Sequence, residues 1–510
     1  MKKLHSLLFI SLCGLLVTSC ARDTITPEPS GSTSAVRPEN DFIWKGLNSW
    51  YYWQKEVPNL ADGFNKREQY ASFINSLMPD DLFYSLLYHY PKNDRFSWIE
   101  RDGIIRAFKV NQNAVNKSSG LNYTLFNISN RNRYLALVNY VVPNSPAAKA
   151  GIRRGDVLTR VNGSDITSYV ELESEGASIS VQSSSRDDQN KIVLGEERVV
   201  SLRHAEINEN PVAFYRVFHE GGRRISYLVY NSFKADFNGE LNAIFGKMKQ
   251  QGVTDLILDL RYNGGGSVNT AVALGQMILG KRGQPYVYIE YNKKHSSLNG
   301  SETLKDQIEI YQKGNVDKEI GKERINVLGN LNKVYVLTTQ ATASASELTI
   351  DALKPYVSVT SIGEPTFGKF VGSITLYDDP RSDYTNFQNR NPRHNWKMQP
   401  IVFAYWNSRK DPHPAPSSGN VYGGIRPDIL VEHKDDFGRI KEFGNLSDPG
   451  LAKAFELITH RKYSDPPSIQ ASVKKRQWKE TIPFSLKFVG TNKTLNPLGT
   501  DAYLDVQHQK

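Results

Sequence analysis

Short apolar runs of strand length, separated by helical stretches, constrain the fold of this chain more than any other feature. Residues 255–260 (DLILDL) form one such run, and a glycine turn at 264–266 joins it directly to an amphipathic helical pattern. Two further runs, 334–338 and 357–362, flank a helical stretch at 345–353. Buried strands alternating with helices predict βαβ units and therefore a mixed α/β fold.

The length of 510 residues leaves room for several domains around this α/β region. The strand and helix alternation, with its flanks, assigns residues 206–460 to the α/β domain, with a less regular insertion at 281–332. Residues 41–110 are rich in aromatic side chains at helical spacing, which favours a small helical domain with an aromatic core over a stacked-aromatic ligand site. Residues 461–510 mix proline, lysine and short β-prone runs, and this C-terminal extension receives no function.

The N-terminus carries export signals. Residues 1–19 combine two lysines with an apolar run that is too short to span a bilayer comfortably, which is the layout of a signal peptide. Residues 17–20 (VTSC) resemble the bacterial lipobox, which implies cleavage before Cys20 and lipid attachment to it. Residues 20–40 then form a solvated, lipidated tether. We expect a membrane-anchored lipoprotein of the bacterial cell envelope; the alternative is an ordinary secreted protein with an incidental cysteine.

Composition excludes several classes of chemistry. The two cysteines are Cys13 and Cys20, so the body of the protein has no disulfide and no cysteine-based metal site. No His-Glu-x-x-His motif is present, and we expect neither a metal nor another cofactor. The net charge of +10 comes from lysines and arginines spread along the chain, which favours a generally basic surface over nucleic-acid binding.

A second module precedes the α/β domain. The run at 145–163 (SPAAKAGIRRGDVLTRVNG) places Ser145 as a helix N-cap and Gly151 where a positive φ ends a one-turn helix. The run resembles the PDZ modules embedded in exported proteases, and residues 111–205 are assigned to such a module. A PDZ fold adds a peptide C-terminus as a strand to a sheet edge. The corresponding carboxylate loop is placed at Gly120, Leu121 and Asn122; the alternative is an inert turn.

The glycine turn at 264–266 admits two functional interpretations. A glycine turn between strand and helix can bind phosphate, but the lysine of a Walker A loop and the third glycine of a dinucleotide fingerprint are both missing. The same turn can present a backbone N–H to a developing oxyanion, because no side chain blocks the approach. The remaining alternative is a tight turn without a ligand.

Ser344 stands at the head of the helical stretch 345–353. With Glu347 it has the spacing of a capping box, and an isolated pattern of this kind favours capping. A serine at a helix N-terminus also has the Ala345 N–H beside it as an oxyanion donor. A serine nucleophile needs a base, and none of the ten histidines lies in a recognisable triad context. Lys369 can act as that base if burial lowers its pKa; the alternative is a solvated turn lysine.

The motifs DLRYNGGG, TASASE and GEPTFGK, in this order, are similar to the signatures of the S41, or C-terminal-processing, peptidase family. The resemblance covers about residues 111–433 and implies a crotonase-like (ClpP/crotonase type) β/α catalytic core. It also implies a Ser/Lys dyad of Ser344 and Lys369, with oxyanion donors near Gly265 and Ala345. The run GGIRPD at 423–428 resembles a closing structural element of the family.

Two positions depart from the family pattern. Many members carry glutamine four residues after the lysine, where this chain has Ser373, and some carry aspartate eleven residues after the serine, where it has Pro355. Ser373 and Glu347 are therefore named as possible supports of the dyad.

The sequence thus predicts a serine endopeptidase that cleaves exported proteins and uses its PDZ-like module to dock substrate C-termini or unfolded segments. Its expected partners are protein or peptide substrates and, through Cys20, the membrane. The alternatives are a catalytically silent protein that binds peptides or lipophilic ligands on the same scaffold, and a PDZ scaffold that only recruits partners.

Overall fold

The computed structural model describes residues 35–101, 104–105, 110–111, 117–128, 133–416, 423–463, 480–482, 486–492 and 502–503. The predicted signal peptide, Cys20 and most of the predicted tether lie outside these residues. Among the helices of the described ranges, none combines the length and the apolar character that a membrane crossing requires.

The helices begin and end at residues suited to those positions. Ser145 Oγ accepts the Ala148 N–H at 3.2 Å, as the sequence predicts, and Ser267 Oγ accepts the Thr270 N–H at 3.3 Å. Gly280, with φ of 63°, ends the helix that Ser267 begins. The helices are α1 (Pro38–Trp50), α2 (Tyr70–Asn75), α3 (Pro79–Ser85), α4 (Pro146–Lys149), α5 (Tyr169–Leu172), α6 (Asn238–Gln250), α7 (Val268–Leu279), α8 (Ala345–Leu353) and α9 (Pro449–Thr459).

The first thirteen strands belong mostly to the predicted PDZ-like module. They are β1 (Trp98–Arg101), β2 (Ile104–Ile105), β3 (Val110–Asn111), β4 (Lys117–Ser118), β5 (Leu121–Ile128), β6 (Tyr134–Val141), β7 (Val157–Val161), β8 (Ser164–Asp165), β9 (Ser178–Gln182), β10 (Ser184–Arg186), β11 (Ile192–Leu194), β12 (Arg198–Ser201) and β13 (Ala205–Glu206).

The remaining strands form the α/β region and the C-terminal extension. They are β14 (Val212–Glu220), β15 (Arg223–Tyr230), β16 (Asp255–Asp259), β17 (Gly266–Ser267), β18 (Pro285–Tyr291), β19 (Gly300–Thr303), β20 (Gln307–Gln312), β21 (Asn315–Arg324), β22 (Lys333–Thr338), β23 (Ser358–Gly363), β24 (Val371–Ser373), β25 (Leu376–Tyr377), β26 (Trp396–Gln399), β27 (Ile401–Asn407), β28 (Ile429–Leu430), β29 (Glu480–Ile482), β30 (Leu486–Thr491) and β31 (Ala502–Tyr503).

The central sheet has the order β14-β15-β16-β22-β23-β28, parallel from β15 onward. Its two faces are buried by different helices, because successive side chains of a strand point to opposite faces. Leu228 of β15 packs in one cluster with residues of α6, α7 and α8. Tyr227 packs in another with Phe455 of α9. The predicted runs at 255–260 and 334–338 are β16 and β22 of this sheet, covered on both faces.

A second six-stranded sheet, of order β17-β31-β24-β27-β18-β19, lies beside the first. It includes β17, which begins at the last glycine of the turn at 264–266, and β24, which begins two residues after Lys369. The insertion at 281–332 is more regular than the sequence predicts, because it supplies β18 and β19 to this sheet and a separate hairpin, β20 with β21.

The N-terminal helical region packs against the α/β region. Trp44 sits between Phe64 and Tyr70 in the aromatic core that the sequence predicts. The Trp50 ring stacks on His295 at 3.6 Å between ring centroids. Strand β1 pairs antiparallel with β26. These contacts place the segment that follows α3 beside the turn that carries Lys369.

A buried ion network joins the PDZ-like module to the α/β region. Arg154 bonds to Asp448 at 3.1 Å and to the Tyr262 hydroxyl at 2.9 Å. Asp448 also accepts from Arg261 at 3.0 Å, and Arg261 pairs with Asp259 at the end of β16. The four charged side chains are at most 5% exposed, so the network is part of the packed interior.

Candidate active site

Ser344 occupies a strained backbone position at the head of α8. Its φ of 61° and ψ of −116° are unusual for a residue with a Cβ, and its side chain is fully buried. Among the described residues its Oγ has no hydrogen-bond partner. A buried, unsatisfied hydroxyl held in a strained conformation is typical of a residue kept for chemistry rather than for packing.

The loop that carries Ser344 is clamped to the end of β16. Thr342 Oγ1 donates to the Leu260 carbonyl at 2.8 Å and accepts the Thr339 N–H at 3.0 Å. The Ala343 N–H donates to the Asn263 carbonyl at 3.0 Å. The serine loop and the glycine turn are thus held together by backbone and hydroxyl contacts, not by long side chains.

Lys369 lies in a buried turn between β23 and β24. Its side chain is 1% exposed, and its Nζ lies 4.9 Å from the centroid of the Phe96 ring. Phe96 belongs to the segment that follows α3, and the neighbouring Arg95 donates to the Phe367 carbonyl at 3.1 Å. The N-terminal helical region therefore forms one wall around the lysine.

The Glu347 carboxylate connects Ser344 to Lys369. Its Oε2 accepts the N–H groups of both residues at 2.8 Å. Its Oε1 accepts the Gly368 N–H at 2.7 Å and the Thr366 hydroxyl. Burial raises the pKa of Glu347, while these hydrogen bonds act in the opposite direction. Glu347 therefore fixes the backbone of the lysine turn to the head of α8.

Tyr405 of β27 makes a second bridge between the same two residues. Its hydroxyl lies 2.9 Å from the Ser344 carbonyl oxygen and 2.6 Å from that of Lys369. Burial raises the pKa of Tyr405 well above its usual value, and the nearby carboxylate of Glu347 adds to this rise. The hydroxyl thus stays protonated and shares one proton between two carbonyls.

The closing element GGIRPD packs on the lysine turn. A Cβ at Gly424 would lie 1.9 Å from the Thr366 carbonyl oxygen, so only glycine fits there. The Ile425 N–H donates to Thr366 Oγ1 at 2.7 Å, and the Asp428 carboxylate accepts from the N–H and hydroxyl of Ser361. The element thus braces Thr366, which itself bonds to Glu347.

The two predicted oxyanion donors are in different situations. Ala345 lies in the first turn of α8, where N–H groups have no intrahelical partner. The Gly265 N–H already donates to Asn263 Oδ1 at 2.9 Å. Asn263 was not singled out from the sequence, although it also donates to the Tyr230 carbonyl at 2.8 Å and so orders the glycine turn.

The other positions singled out from the sequence lie in β24, after α8 and in the PDZ-like module. Ser373 lies in β24, and its Oγ accepts from Gln399 Nε2 at 2.9 Å. Pro355 follows the end of α8 by two residues. Gly120, Leu121 and Asn122 lie at the start of β5 in the PDZ-like module, with the Gly120 N–H donating to Ser118 Oγ at 3.0 Å. A Cβ at Gly120 would lie 2.3 Å from the Ser145 Cβ.

Sequence reasoning missed Tyr405, Asn263 and Gln399. Asn263 lies within the motif DLRYNGGG, where only the glycines were given a role. Tyr405 and Gln399 lie in no recognisable motif, and Tyr405 is 61 residues from Ser344 along the chain. The described residues contain no group of three or more His, Cys, Asp or Glu side chains placed to hold a metal ion.

Three family models match consecutive parts of the chain. Residues 224–401 match the model described as Peptidase family S41. Residues 39–98 match the Peptidase S41 N-terminal domain, and residues 137–174 match a PDZ domain.

Two curated relatives share this region. The "Probable CtpA-like serine protease" of Staphylococcus aureus (strain N315) is 26% identical over 242 residues, which are 47% of this chain and 42% of the relative. The protein of the same name from Staphylococcus epidermidis (strain ATCC 35984) is 28% identical over 247 residues, which are 46% of this chain and 43% of the relative. The chain thus spans less than half of the length of the curated relatives it matches.

A solved structure covers more of the fold. The crystal structure of a protein described as an S41 protease, from Bacteroides fragilis NCTC 9343, superposes with a TM-score of 0.61 at 25% identity. The match covers 82% of this chain and 97% of that one. The succession of an N-terminal helical region, a PDZ domain and an α/β peptidase-type domain is therefore shared with it.

Proposed function

Because the chain belongs to peptidase family S41, we propose that it is a serine endopeptidase of the C-terminal-processing type, with Ser344 as nucleophile and Lys369 as general base. One observation carries the proposal: the Glu347 carboxylate holds the backbones of Ser344 and Lys369 together while both side chains are buried. The contact of Glu347 with the Ser344 N–H also belongs to the capping box that the sequence predicts. Capping alone requires neither the strained φ of Ser344 nor the second contact of Glu347 with the Lys369 N–H.

In the proposed mechanism, the neutral Lys369 amine removes the proton from Ser344 Oγ as Oγ bonds to a substrate carbonyl carbon. Loss of water around Lys369 disfavours the ammonium form and so supplies the neutral amine. The resulting ammonium then gives its proton to the leaving amine, which completes the acyl-enzyme. A water molecule releases the acyl group by the same two proton transfers.

The N–H groups near Gly265 and Ala345 stabilise the tetrahedral oxyanion in this proposal. For Gly265, the N–H exchanges the Asn263 side-chain oxygen for the substrate oxyanion. Removal of a single oxyanion donor typically costs about 10²–10³-fold in kcat.

The dyad is tested by substituting its members singly and together. We expect Lys369→Ala to lower kcat/KM for a fluorogenic casein by about 10²–10⁴-fold, because general-base catalysis is worth that much. The fold should persist, which circular dichroism and thermal unfolding check. Residues that act as one unit are strongly non-additive. The double variant Ser344→Ala/Lys369→Ala should therefore be hardly slower than Ser344→Ala alone.

A fluorophosphonate probe provides a second readout for the nucleophile. The wild-type chain should be labelled and Ser344→Ala should not, with Ser346→Ala as the matched control, because Ser346 Oγ donates to the Asn263 carbonyl at 3.0 Å. Labelling of neither the wild type nor the control would favour a silent binding protein. Retained turnover in Lys369→Ala would remove the lysine from the mechanism.

The proposed substrates are exported proteins presented through their C-termini or unfolded segments. The PDZ match supports this proposal, since PDZ folds bind peptide ends by strand addition. Peptides with a free C-terminal carboxylate should be cut faster than the same peptides ending in an amide. Equal rates would argue against docking through the carboxylate.

We also propose attachment to the bacterial cell envelope through lipid on Cys20, which lies outside the described residues. Metabolic labelling with radioactive palmitate should mark the wild type and not Cys20→Ser. Equal recovery of both in the membrane fraction would contradict this anchor.

A further inference from the structure

The C-terminal extension touches both peptide-binding regions of the molecule. Strand β29 pairs antiparallel with β11, and β30 pairs antiparallel with β5 of the PDZ-like module. Strand β31 then pairs in parallel with β17 on one side and with β24 on the other. We call the strands β29, β30 and β31, with Asn492, the C-terminal segment. It is described at 480–482, 486–492 and 502–503.

Strand β30 runs along β5 in the direction expected of a docked peptide. Leu486 lies opposite Ile128 and Thr491 lies opposite Thr124, so the chain advances toward Gly120. PDZ folds take a peptide by antiparallel strand addition with its C-terminal end at the loop before the accepting strand. In the sheet order β12-β9-β7-β6-β5-β30, strand β30 covers the outer side of β5. Without β30, β5 would be an edge strand.

Asn492 anchors the end of β30 near that loop. Its N–H donates to the Tyr123 carbonyl at 3.1 Å, and its Nδ2 donates to the Leu121 carbonyl at 3.0 Å. Its Nδ2 also lies 3.4 Å from Glu173, the residue that follows α5. Glu173 accepts from the Tyr123 hydroxyl at 2.8 Å as well. Asn492 thus bridges the accepting strand and the end of α5.

Strand β31 lies between the two halves of the candidate active site. Ala502 pairs with Gly266, the residue after the predicted oxyanion donor Gly265. Tyr503 pairs with Ser267 and with Ser373, four residues after Lys369. A peptide that adds as a strand to β17 or β24 would need the position that β31 holds.

We propose that the C-terminal segment is a tethered occupant of both peptide sites, so that a peptide substrate must displace it from β5 and from between β17 and β24. The inference rests on the proposed function, because it identifies the competitor of the substrate. A tethered competitor acts at an effective concentration on the order of 1 mM, so even a weakly binding segment keeps the sites filled.

The first experiment locks the segment in place. Lys487 lies directly opposite Asn127, so Asn127→Cys with Lys487→Cys offers the cross-strand positions for a disulfide. In a Cys13→Ser, Cys20→Ser background the chain holds no other cysteine. We expect the oxidised protein to cleave fluorogenic casein at least tenfold more slowly than the same protein after reduction. Lys487→Cys alone, the matched control, should not respond to reduction.

The second experiment measures binding without hydrolysis, in the Ser344→Ala background. The probe is a fluorescein-labelled peptide of sequence Leu-Lys-Phe-Val-Gly-Thr-Asn, which copies residues 486–492. A chain that ends at Tyr463 should bind it at least tenfold more tightly than the full chain, by fluorescence anisotropy. Asn492→Ala in the full chain should move the affinity in the same direction, and this variant keeps every strand.

The outcomes separate this inference from the proposed function. Two results would overturn the inference: equal probe binding by all three proteins, or casein cleavage at the same rate before and after reduction of the disulfide. Neither result would contradict the proposed peptidase activity. Tighter binding after removal of the segment, with no cleavage by any variant, would support the inference and contradict the peptidase. If the shortened chain aggregates, the disulfide and Asn492→Ala experiments still decide.

Discussion

At the scale of single residues, the backbone of Ser344 is the informative feature. A φ of 61° with ψ of −116° costs a residue with a Cβ about 1–3 kcal/mol, and glycine avoids this cost. The pattern TASASE could predict the serine but not this strain, because the conformation is imposed by clamps from Leu260 and Asn263, far away in sequence.

The strained backbone of Ser344 predicts that glycine at this position makes the folded protein more stable than alanine does. We expect Ser344→Gly to unfold with a free energy about 1–3 kcal/mol higher than Ser344→Ala, since only glycine relieves the positive φ. Both should be inactive because both lack the hydroxyl. Urea unfolding of the two inactive variants measures the difference; equal midpoints would show that Ser344 is not strained in solution.

Tyr405 gives the second prediction at this scale. Tyr405→Phe removes the hydroxyl that bonds to the carbonyls of Ser344 and Lys369, and the loss of a buried hydrogen bond costs about 0.5–1.5 kcal/mol. We expect kcat to fall about tenfold with KM little changed, because the change displaces the dyad and not the docking strands. Kinetics with fluorogenic casein test this.

Tyr286→Phe is the matched control for Tyr405→Phe. Among the described residues, the buried Tyr286 hydroxyl has no hydrogen-bond partner. Its removal should leave kcat unchanged. A similar loss of activity in both variants would mean that the hydroxyls matter only to the packing of this region.

At the scale of elements, the sequence predicts well where burial is complete and poorly where it is not. Strands β16 and β22 are covered on both faces, so their continuous apolar runs are visible in the sequence. Strands β20 and β21 form a hairpin rich in charged residues, within the insertion for which the sequence predicts a less regular structure. Apolar periodicity reports burial, and a strand held mainly by backbone pairing carries little of it.

The glycine turn gives a prediction at the scale of elements. A Cβ at Gly266 would lie 2.4 Å from the Phe233 carbonyl oxygen, at a φ of 136°. We expect Gly266→Ala to push β17 away from this neighbour, to lower the free energy of unfolding by about 1–3 kcal/mol and to reduce kcat at least tenfold. Denaturant unfolding and casein cleavage measure the two effects.

Gly163→Ala separates backbone strain from steric overlap. Gly163 has a φ of 79°, and a Cβ there would meet nothing within 4 Å. This variant should lose some stability through its φ alone and keep full activity. If Gly266→Ala were as active as Gly163→Ala, the position of β17 would not matter for catalysis.

At the scale of the whole molecule, the order of domains follows from the sequence but their attachment does not. The PDZ-like run and the catalytic motifs were each visible as local patterns. The buried network between them joins Arg154 to Asp448, 294 residues apart, and neither residue stands in a motif that predicts a partner. Pairings at such separations become visible only once the fold brings the residues together.

This network predicts how stability depends on pH. Burial opposes ionisation of Asp448, but Arg261 and Arg154 hold its pKa below the usual range. A carboxylate with a lowered folded-state pKa contributes stability above its unfolded pKa of about 3.9, and this contribution is lost as pH falls through the folded value.

Asp448→Asn should therefore be destabilised by about 3–5 kcal/mol at pH 7, because two buried arginines lose their partner. The deficit should shrink below about pH 4, where the wild type also begins to lose this charge. Urea unfolding of both proteins across this range is the measurement. A deficit that does not change with pH would assign the effect to packing and not to charge.

The position of β31 near the end of the sequence also matters during synthesis of the protein. A protein is synthesised from its N-terminus, so β17 and β24 both exist before the residues that form β31 have been added. If the C-terminal segment competes with substrate as proposed, a nascent chain passes through a stage in which β17 and β24 are present but β31 has not yet been synthesised. During this stage the edges of β17 and β24 that β31 later covers are accessible to other polypeptides. A chain whose synthesis stops before residue 502 keeps these edges accessible.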